Sequence, residues 1–220
     1  MIDIHSHILW GVDDGSKNPK SSLEMLRAAG RAGVKSLYAT PHMRAQGTGI
    51  DVIKARFEEL LAEAVSEKIN ISLGYEVSIS YFTGIPIAEA IRFTLGSSDM
   101  ILLELSRRFP DIYTQNIIFS LEQHGLVPII AHPERYCVGK KDIDFILKLA
   151  DKGAILQLNA ASFFRPVFDM RRRAAFRFLD SGAECLIASD AHDAGDYAAL
   201  GKAFTKLSGK YPAAFGSLSF

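Results

Sequence analysis

Short apolar runs alternate with amphipathic stretches along most of the chain. The first run is Ile2-Asp3-Ile4-His5-Ser6-His7, and others cover 34–39, 69–77, 100–105, 127–131, 154–158 and 184–188. Runs of this length, rich in Val, Ile, Leu and Ala, are typical of strands that are buried on both faces. Helical periodicity between them predicts helices over 19–33, 51–68, 85–95, 112–124, 142–151, 167–180 and 196–207. The pattern therefore predicts seven strands that alternate with helices.

Strict alternation of strand and helix predicts parallel strands joined by right-handed crossovers. The chain has 220 residues, of which 48% are hydrophobic, and contains no linker or repeat, so we expect one domain over 1–220. The chemically notable side chains follow strands one to five and strand seven, and they must converge on one point to act together. We therefore expect a closed or nearly closed α/β barrel of seven strands rather than an open sheet.

Five of the six histidines follow apolar runs directly. They lie in the fragments His5-Ser6-His7, Thr40-Pro41-His42, Ala131-His132-Pro133-Glu134-Arg135 and Ser189-Asp190-Ala191-His192. Two imidazoles at positions i and i+2 of a strand end share one face and can bind one metal ion, although such a pair taken alone fits two surface histidines equally well. Clustering at strand ends, where parallel barrels carry their catalytic groups, favours the metal site.

Acidic residues near the same strand ends are further candidate ligands. Asp13-Asp14-Gly15 fits an ordinary turn, or a loop in which one acid reaches a metal held by His5 and His7. Glu76, near the end of the third run, is on its own best interpreted as a salt-bridge partner. Glu104 interrupts an apolar run, and an unpaired buried carboxylate is so costly that this residue requires a cation or a metal.

Charge and composition exclude several classes of partner. The chain carries 25 basic and 25 acidic residues, which argues against nucleic acid or an anionic membrane as the main partner. No apolar run is long enough to span a bilayer, and the N-terminus has no secretory pattern. The two cysteines, Cys137 and Cys185, are too few for a disulfide framework, so a cytoplasmic location is expected.

Other phosphate chemistries lack their motifs. Cysteine-based phosphatases need Cys-x5-Arg, but the residue six positions after Cys137 is Ile143 and the residue six after Cys185 is Ala191. The chain also lacks a P-loop, a dinucleotide-binding glycine motif and a Gly-x-Ser-x-Gly elbow.

The fragments around the histidines resemble the polymerase-and-histidinol-phosphatase (PHP) superfamily. The resemblance rests on His5-Ser-His-Ile-Leu-Trp-Gly-Val-Asp-Asp-Gly15, Ala-Thr-Pro-His42, Ala-His-Pro-Glu-Arg135 and Ala-Ser-Asp-Ala-His192. Within the superfamily these segments are most similar to the CpsB/YwqE type of metal-dependent protein-tyrosine phosphatase, found in bacterial capsule and exopolysaccharide operons. Two departures are Trp10, where that family commonly has proline, and the Ser106–Pro110 loop, so metal binding is better supported than substrate preference.

The resemblance implies a distorted seven-stranded (β/α)7 barrel, similar to a TIM barrel, with two or three divalent metal ions. Manganese is the expected metal, and iron, zinc or magnesium suit the same imidazole and carboxylate ligands. The implied metal ligands are His5, His7, Asp14, His42, Glu76, Glu104, His132, Asp190 and His192, with Asp13 as the competitor of Asp14.

The implied reaction is attack of a hydroxide, activated by the metals, on a phosphomonoester. Arg135 would contact the phosphate, and His42 and Asp190 are further candidate catalytic residues. Arg44 and Arg107 are candidate substrate contacts, although solvated loop arginines are the commoner case. The arginines at 165, 171, 172, 173 and 177 could meet a phosphorylated segment, but a solvated helix face explains them more simply.

We therefore expect a metal-dependent protein-tyrosine phosphatase whose partner is a phosphotyrosine protein, implied by the resemblance to be a tyrosine kinase of polysaccharide assembly. Two alternatives remain at this point. One is a small-molecule phosphatase of the histidinol-phosphatase type, and the other is a non-catalytic module that metals stabilise. The sequence leaves the oligomeric state, the native metal and the general acid open.

Overall fold

Parallel strands with helices between them make up the computed structural model, which describes residues 1–106 and 112–216. The strands are β1 (Ile2–Ser6), β2 (Ser36–Ala39), β3 (His42–Met43), β4 (Asn70–Leu73), β5 (Glu76–Ser78), β6 (Met100–Glu104), β7 (Val127–Ala131), β8 (Ile155–Asn159) and β9 (Cys185–Ala188). The α-helices are α1 (Pro19–Arg31), α2 (Ile50–Ser66), α3 (Ile112–Gln123), α4 (Lys140–Ala150), α5 (Met170–Leu179) and α6 (Tyr197–Leu207). The predicted α/β class with parallel strands is confirmed.

The strands are arranged in two sheets, with the orders β1-β2-β4 and β3-β5-β6-β7-β8-β9. The sequence predicts a single closed sheet of seven strands. Within the described residues the strands instead form two sheets. The predicted strand at 69–77 is divided, because Gly74 separates β4 from β5. The predicted strand at 34–39 is followed by a further short strand, since Pro41, which has no N–H to donate, separates β2 from β3. A Cβ at Gly74 would lie 2.5 Å from Cδ2 of Leu95, so the chain bends where only glycine fits.

Backbone hydrogen bonds connect the sheets across these breaks. The N–H of Gly74 donates to Ala39 O at 2.8 Å, and the N–H of Glu76 donates to Pro41 O at 3.1 Å. At the other end, a parallel bridge pairs Ser6 with Ala191, just beyond β9. The first and last strands of the chain are therefore neighbours.

Alternate residues of the strands contribute to two apolar cores. One core contains Ile4, Tyr38, Leu102, Ile129 and Leu186, which come from both sheets. The larger core contains Ile101, Leu103 and Ile130 together with the buried faces of the helices. The strands are thus covered on both faces, as their apolar sequences predicted.

One predicted helix takes a different form. The segment expected to be α-helical at 85–95 contains a 3₁₀-helix, Ile87–Phe93. Pro86 and Gly96 bound this stretch and leave fewer than three α-helical turns between them, too few for a stable α-helix without strong packing. No helix of the described residues has the length and apolar character that crossing a membrane requires.

Helix α6 is tied to the junction of the first and last strands by a buried hydrogen bond. The hydroxyl of Tyr197, which is 1% exposed, lies 2.7 Å from Oγ of Ser6 in β1. We expect Tyr197→Phe to lower the free energy of unfolding by about 1 kcal/mol, because the fully buried Ser6 hydroxyl loses its hydrogen-bond partner. Urea denaturation measures this loss.

The control is Tyr211→Phe, which removes a hydroxyl that donates to the surface carboxylate of Asp180 at 2.6 Å. Water can replace that hydrogen bond, so Tyr211→Phe should lower the free energy of unfolding by clearly less than Tyr197→Phe does. Equal losses in the two variants would contradict a special contribution from the Tyr197 bond.

Candidate metal centre

The carboxyl ends of the strands bring all nine sequence-predicted ligands together. Four overlapping groups have donor atoms within 4.8 Å of one another: His7, Asp14, His42 and His192; His5, His7 and Asp190; His5, Glu76 and His132; and His42, Glu76 and Glu104. His5, His7, His42 and Glu76 each belong to two groups. We refer to these nine residues as the cluster.

Glu76, in β5, lies at the centre of the cluster and is fully buried. Its Oε1 accepts a hydrogen bond from Nε2 of His132 at 2.9 Å, and its Oε2 lies 2.8 Å from Nδ1 of His42. The Nε2 atoms of His5 and His7 are 3.4 and 3.3 Å from the same Oε2. Burial alone would raise the pKa of Glu76, but the surrounding histidines, His5 first, hold it well below its usual range.

Asp190 faces the same two histidines from the opposite end of the chain. Its Oδ1 lies 3.3 Å from Nε2 of His5 and 3.3 Å from Nε2 of His7. Its Oδ2 accepts hydrogen bonds from Nη1 of Arg135 at 3.0 Å and from Nδ2 of Asn159 at 2.7 Å. Burial opposes ionisation here too, yet the neighbouring histidines keep the pKa of Asp190 below its usual range.

Several buried polar atoms in the cluster make no hydrogen bond within the described residues. They are Oε2 of Glu76, Oδ1 of Asp190 and Nδ1 of His132. The Nε2 atoms of His5 and His7 also lie only 3.2 Å apart. Carboxylate oxygens and imidazole nitrogens that point at shared positions without well-aligned partners fit divalent metal ions, since a buried charge otherwise requires compensation. The donor set therefore suits the implied metals.

Polar groups outside the cluster bind the Nδ1 atoms of His5 and His7. Nδ1 of His7 donates to Oδ2 of Asp13 at 2.7 Å, and Nδ1 of His5 donates to Oε1 of Gln157 at 2.9 Å. The bond to His7 lowers the pKa of Asp13 to about 2, although burial acts in the opposite direction. Contacts of this kind fix the ring orientation and turn Nε2 toward the cluster.

The two adjacent acids of the first loop have different positions. Asp13 lies behind His7, and its carboxylate also accepts the backbone N–H groups of Gly15 and His42. Asp14 places Oδ1 3.4 Å from Nε2 of His42 and 3.5 Å from Nε2 of His192. Of the two acids, Asp14 is therefore the one whose carboxylate lies with the donor atoms of the cluster.

Glu104, at the end of β6, is paired with an arginine. Nε and Nη2 of Arg44 both donate to Oε2 of Glu104, at 3.3 and 3.0 Å, and Nη2 is also 2.9 Å from Nε2 of His42. Arg44, expected as a substrate contact, therefore lies against a candidate metal ligand. Arg107, the other such candidate, falls outside the described residues.

A cleft of about 390 Å³ opens beside the cluster, a volume typical of small-ligand sites. Glu104 and His132 of the cluster line it, together with Arg135, which donates to Asp190. The cleft also contacts Leu105, Tyr136, Val138 and Arg171. Arg135 thus lies between the cluster and the cleft.

Sequence reasoning assigned no role to three residues that shape this region. Gln157 accepts the N–H of His132 as well as Nδ1 of His5, and it interrupts an otherwise apolar strand, which is a signal of a buried polar contact. Asn159 donates to Asp190. Glu134 is buried and accepts bonds from the N–H of Asn159 and Oγ of Ser162, which ties the turn after β7 to the end of β8.

The chain is similar to a protein family and to tyrosine-protein phosphatases along most of its length. The family model described as capsular polysaccharide synthesis, CpsB/CapC, matches residues 1–215. A putative tyrosine-protein phosphatase CapC of Staphylococcus aureus is 32% identical over 200 residues, which cover 87% of this chain and 77% of that protein. The tyrosine-protein phosphatase YwqE of Bacillus subtilis (strain 168) is 29% identical over 201 residues, covering 88% of this chain and 78% of that protein.

A solved structure has the same fold as this chain. It comes from crystal structures of YwqE from Bacillus subtilis and CpsB from Streptococcus pneumoniae, described as unique metal-dependent tyrosine phosphatases. The TM-score is 0.81 with 25% sequence identity, and the match covers 96% of this chain and 90% of that one.

The loop after β1 packs directly against His7 and leaves no space for a side chain at Gly15. A Cβ at Gly15 would lie 2.1 Å from O of His7 and 2.4 Å from its Cβ. We expect Gly15→Ala to displace His7, to lower the free energy of unfolding by about 2 kcal/mol or more, and to reduce bound metal per chain. Urea denaturation and metal analysis by mass spectrometry measure the two effects.

Gly209→Ala is the matched control, because a Cβ at Gly209 meets nothing within 4 Å. It should leave both stability and metal content nearly unchanged. If Gly15→Ala retained full metal content, the loop would not be needed to position His7.

Proposed function

The chain belongs to the capsular polysaccharide synthesis CpsB/CapC family, and from this premise we propose that it is a metal-dependent protein-tyrosine phosphatase. The observation that carries the proposal is the cluster itself. Buried carboxylate and imidazole atoms without hydrogen-bond partners lie next to Arg135 and an open cleft. The relatives named as tyrosine-protein phosphatases match most of the chain, in agreement with this reading.

We propose two or three divalent ions, manganese first among them, held by the nine residues of the cluster. The four overlapping groups support more than one ion, and Glu76, the carboxylate that two of these groups share, could serve two ions through its two oxygens. When bound, such ions supply Lewis acidity toward phosphate oxygens and lower the pKa of water.

The chain's own residues account for binding and orientation of the substrate. Arg135 donates one N–H to Asp190 Oδ2, and 44% of its side chain is exposed, so its guanidinium can also bind the phosphoryl group. Asp190 fixes the position of Arg135 and shares the cluster with His42. Leu105 and Tyr136 offer an apolar wall of the cleft to a phenyl ring. A tyrosyl phenolate, whose conjugate acid has a pKa of about 10, needs little help from a general acid.

We also propose that the two sheets form one distorted barrel of seven strands within a single domain. This count takes β2 with β3 and β4 with β5, in line with the hydrogen bonds of Gly74 and Glu76 across the breaks. The bridge between Ser6 and Ala191 would close the ring.

As the physiological partner we propose a phosphotyrosine protein, namely a tyrosine kinase of polysaccharide assembly. The support is the family description, which concerns capsular polysaccharide synthesis. The proposal can be tested with substrates of different classes.

The test compares two histidine variants on a phosphotyrosine peptide with added Mn²⁺. His132→Asn keeps a residue that tolerates the positive φ of 35° at this position, but it removes the imidazole next to Glu76. We expect kcat/KM to fall by about 100-fold or more, with less metal per chain. His124→Asn is the control, because His124 lies outside the cluster and bonds Ser120 O.

Wild-type protein should hydrolyse the peptide much faster than histidinol phosphate. Faster turnover of histidinol phosphate would instead identify a small-molecule phosphatase. Metal binding without any phosphomonoester hydrolysis would identify a structural module.

A second prediction concerns the cysteines, which are both free and buried. Burial raises the pKa of Cys137 to about 12 and that of Cys185 to about 12, so neither thiol forms a nucleophilic thiolate near neutral pH. We expect iodoacetamide at pH 8 to leave the activity unchanged, whereas EDTA should abolish it. Two free thiols also suit the reducing cytoplasm, which we propose as the location.

Mass spectrometry of the treated protein checks the result, with the urea-unfolded chain as the control that becomes alkylated at both positions. Activity that fell in step with alkylation of either cysteine would contradict a metal-only mechanism.

A further inference from the structure

The residues that line the cleft differ in their exposure to solvent. It is lined by His132, which is 3% exposed, and by Glu104, both of the cluster, and by Arg135, which donates to Asp190. Val138, which is 85% exposed, and the exposed Arg171 line the same cleft at the protein surface. A phosphotyrosine whose phosphate reaches Arg135 would therefore hold the flanking residues of its peptide near Arg171.

Arg171 differs from the neighbouring arginines in its contacts. Arg165 donates to Oδ2 of Asp169 at 2.6 Å, and Arg172 donates to O of Arg165 at 2.9 Å. The guanidinium of Arg171 has no hydrogen-bond or ion-pair partner within residues 1–106 and 112–216, while its backbone N–H donates to Asp169 at 2.9 Å. A cation at the rim of a substrate cleft is thus left for an external anion.

The position of Arg171 is fixed by the fold. It is the second residue of α5, whose N-terminal cap is Asp169. Helix α5 packs against the turn Pro133–Arg135, which carries the proposed phosphate contact. The two arginines therefore reach the cleft from packed elements of the structure.

We propose that Arg171 determines substrate specificity by binding an acidic side chain close to the phosphotyrosine in the substrate protein. The proposal rests on the function proposed above and adds the class of substrate sequence. A guanidinium pairs with a carboxylate through charge-assisted hydrogen bonds, and among residues 1–106 and 112–216 the arginines that line the cleft are Arg135 and Arg171. Arg135 serves the phosphate, and Arg171 reads the flanking sequence.

The experiment uses the metal-loaded protein with three substrates. One is a phosphotyrosine peptide with Glu on both sides of the tyrosine, the second is the same peptide with Gln in place of Glu, and the third is p-nitrophenyl phosphate, which has no flanking residues. The variants are Arg171→Ala and Arg171→Glu. Arg173→Ala is the matched control, because it removes the same charge from the same helix at a residue that does not line the cleft.

We expect wild-type KM to be about threefold to fivefold lower for the Glu peptide than for the Gln peptide, the range typical of one exposed ion pair. Arg171→Ala should remove this difference without changing kcat or the hydrolysis of p-nitrophenyl phosphate, and Arg171→Glu should reverse it. Arg173→Ala should behave as wild type. High salt should weaken the preference in the wild type.

Three results would overturn the inference: no Glu preference in the wild type, an unchanged preference in Arg171→Ala, or an equal loss in Arg173→Ala, which would indicate a general charge effect. If the phosphotyrosine peptides are hydrolysed in any of these cases, the proposed function still stands. If the metal-loaded wild type hydrolyses none of the three substrates, the proposed function fails and the inference fails with it.

Discussion

Two carboxylates, Glu76 and Asp190, are buried among histidine rings, and this burial constrains how the strands must pack. An isolated buried charge costs several kcal/mol, and the loss is recovered only when oppositely charged or metal-binding groups surround it closely. Here the compensating groups come from strand ends far apart in the sequence, with His5 and His7 near the N-terminus and His132 beyond its middle. The carboxylates are stable only when the strands have converged, so formation of the site and of the fold are coupled.

Two residues just beyond strand ends have unusual backbone conformations that turn their side chains toward the cluster. His132 and Asp190 have φ angles of 35° and 52°, which non-glycine residues rarely adopt. Each lies just after its strand, where this backbone turns the side chain inward instead of continuing the sheet. A strained backbone of this kind persists where several surrounding contacts hold it in place. Asp190 is held by hydrogen bonds from Arg135 and Asn159. His132 is held by hydrogen bonds to Gln157 and Glu76.

The sequence predicted the strands, their parallel order and the residues at their ends, because a doubly covered parallel strand is apolar throughout and its end is where polar chemistry can begin. It did not predict that Gly74 divides the third strand, or that a further short strand, β3, follows Pro41 in the other sheet, since the partner of each segment is set by tertiary packing. The choice between Asp13 and Asp14 was equally hidden. Adjacent acids look alike in a sequence, and only the path of the loop, with Gly15 against His7, separates them. Gln157 was missed because its partner His5 is 152 positions away.

The two arginines of the described site that were expected to contact substrate differ in how they are engaged. Nε and Nη2 of Arg44 both donate hydrogen bonds to Glu104. Arg44 must break these two bonds before the same two groups can bind another anion. Arg135 uses only Nη1 on Asp190, and no other partner of its guanidinium occurs within 1–106 and 112–216. Because bidentate recognition of a phosphoryl group needs two parallel N–H donors, Arg135 can provide it while still bound to Asp190. This difference supports the proposed binding of the phosphoryl group on the side of the cluster where Arg135 lines the cleft.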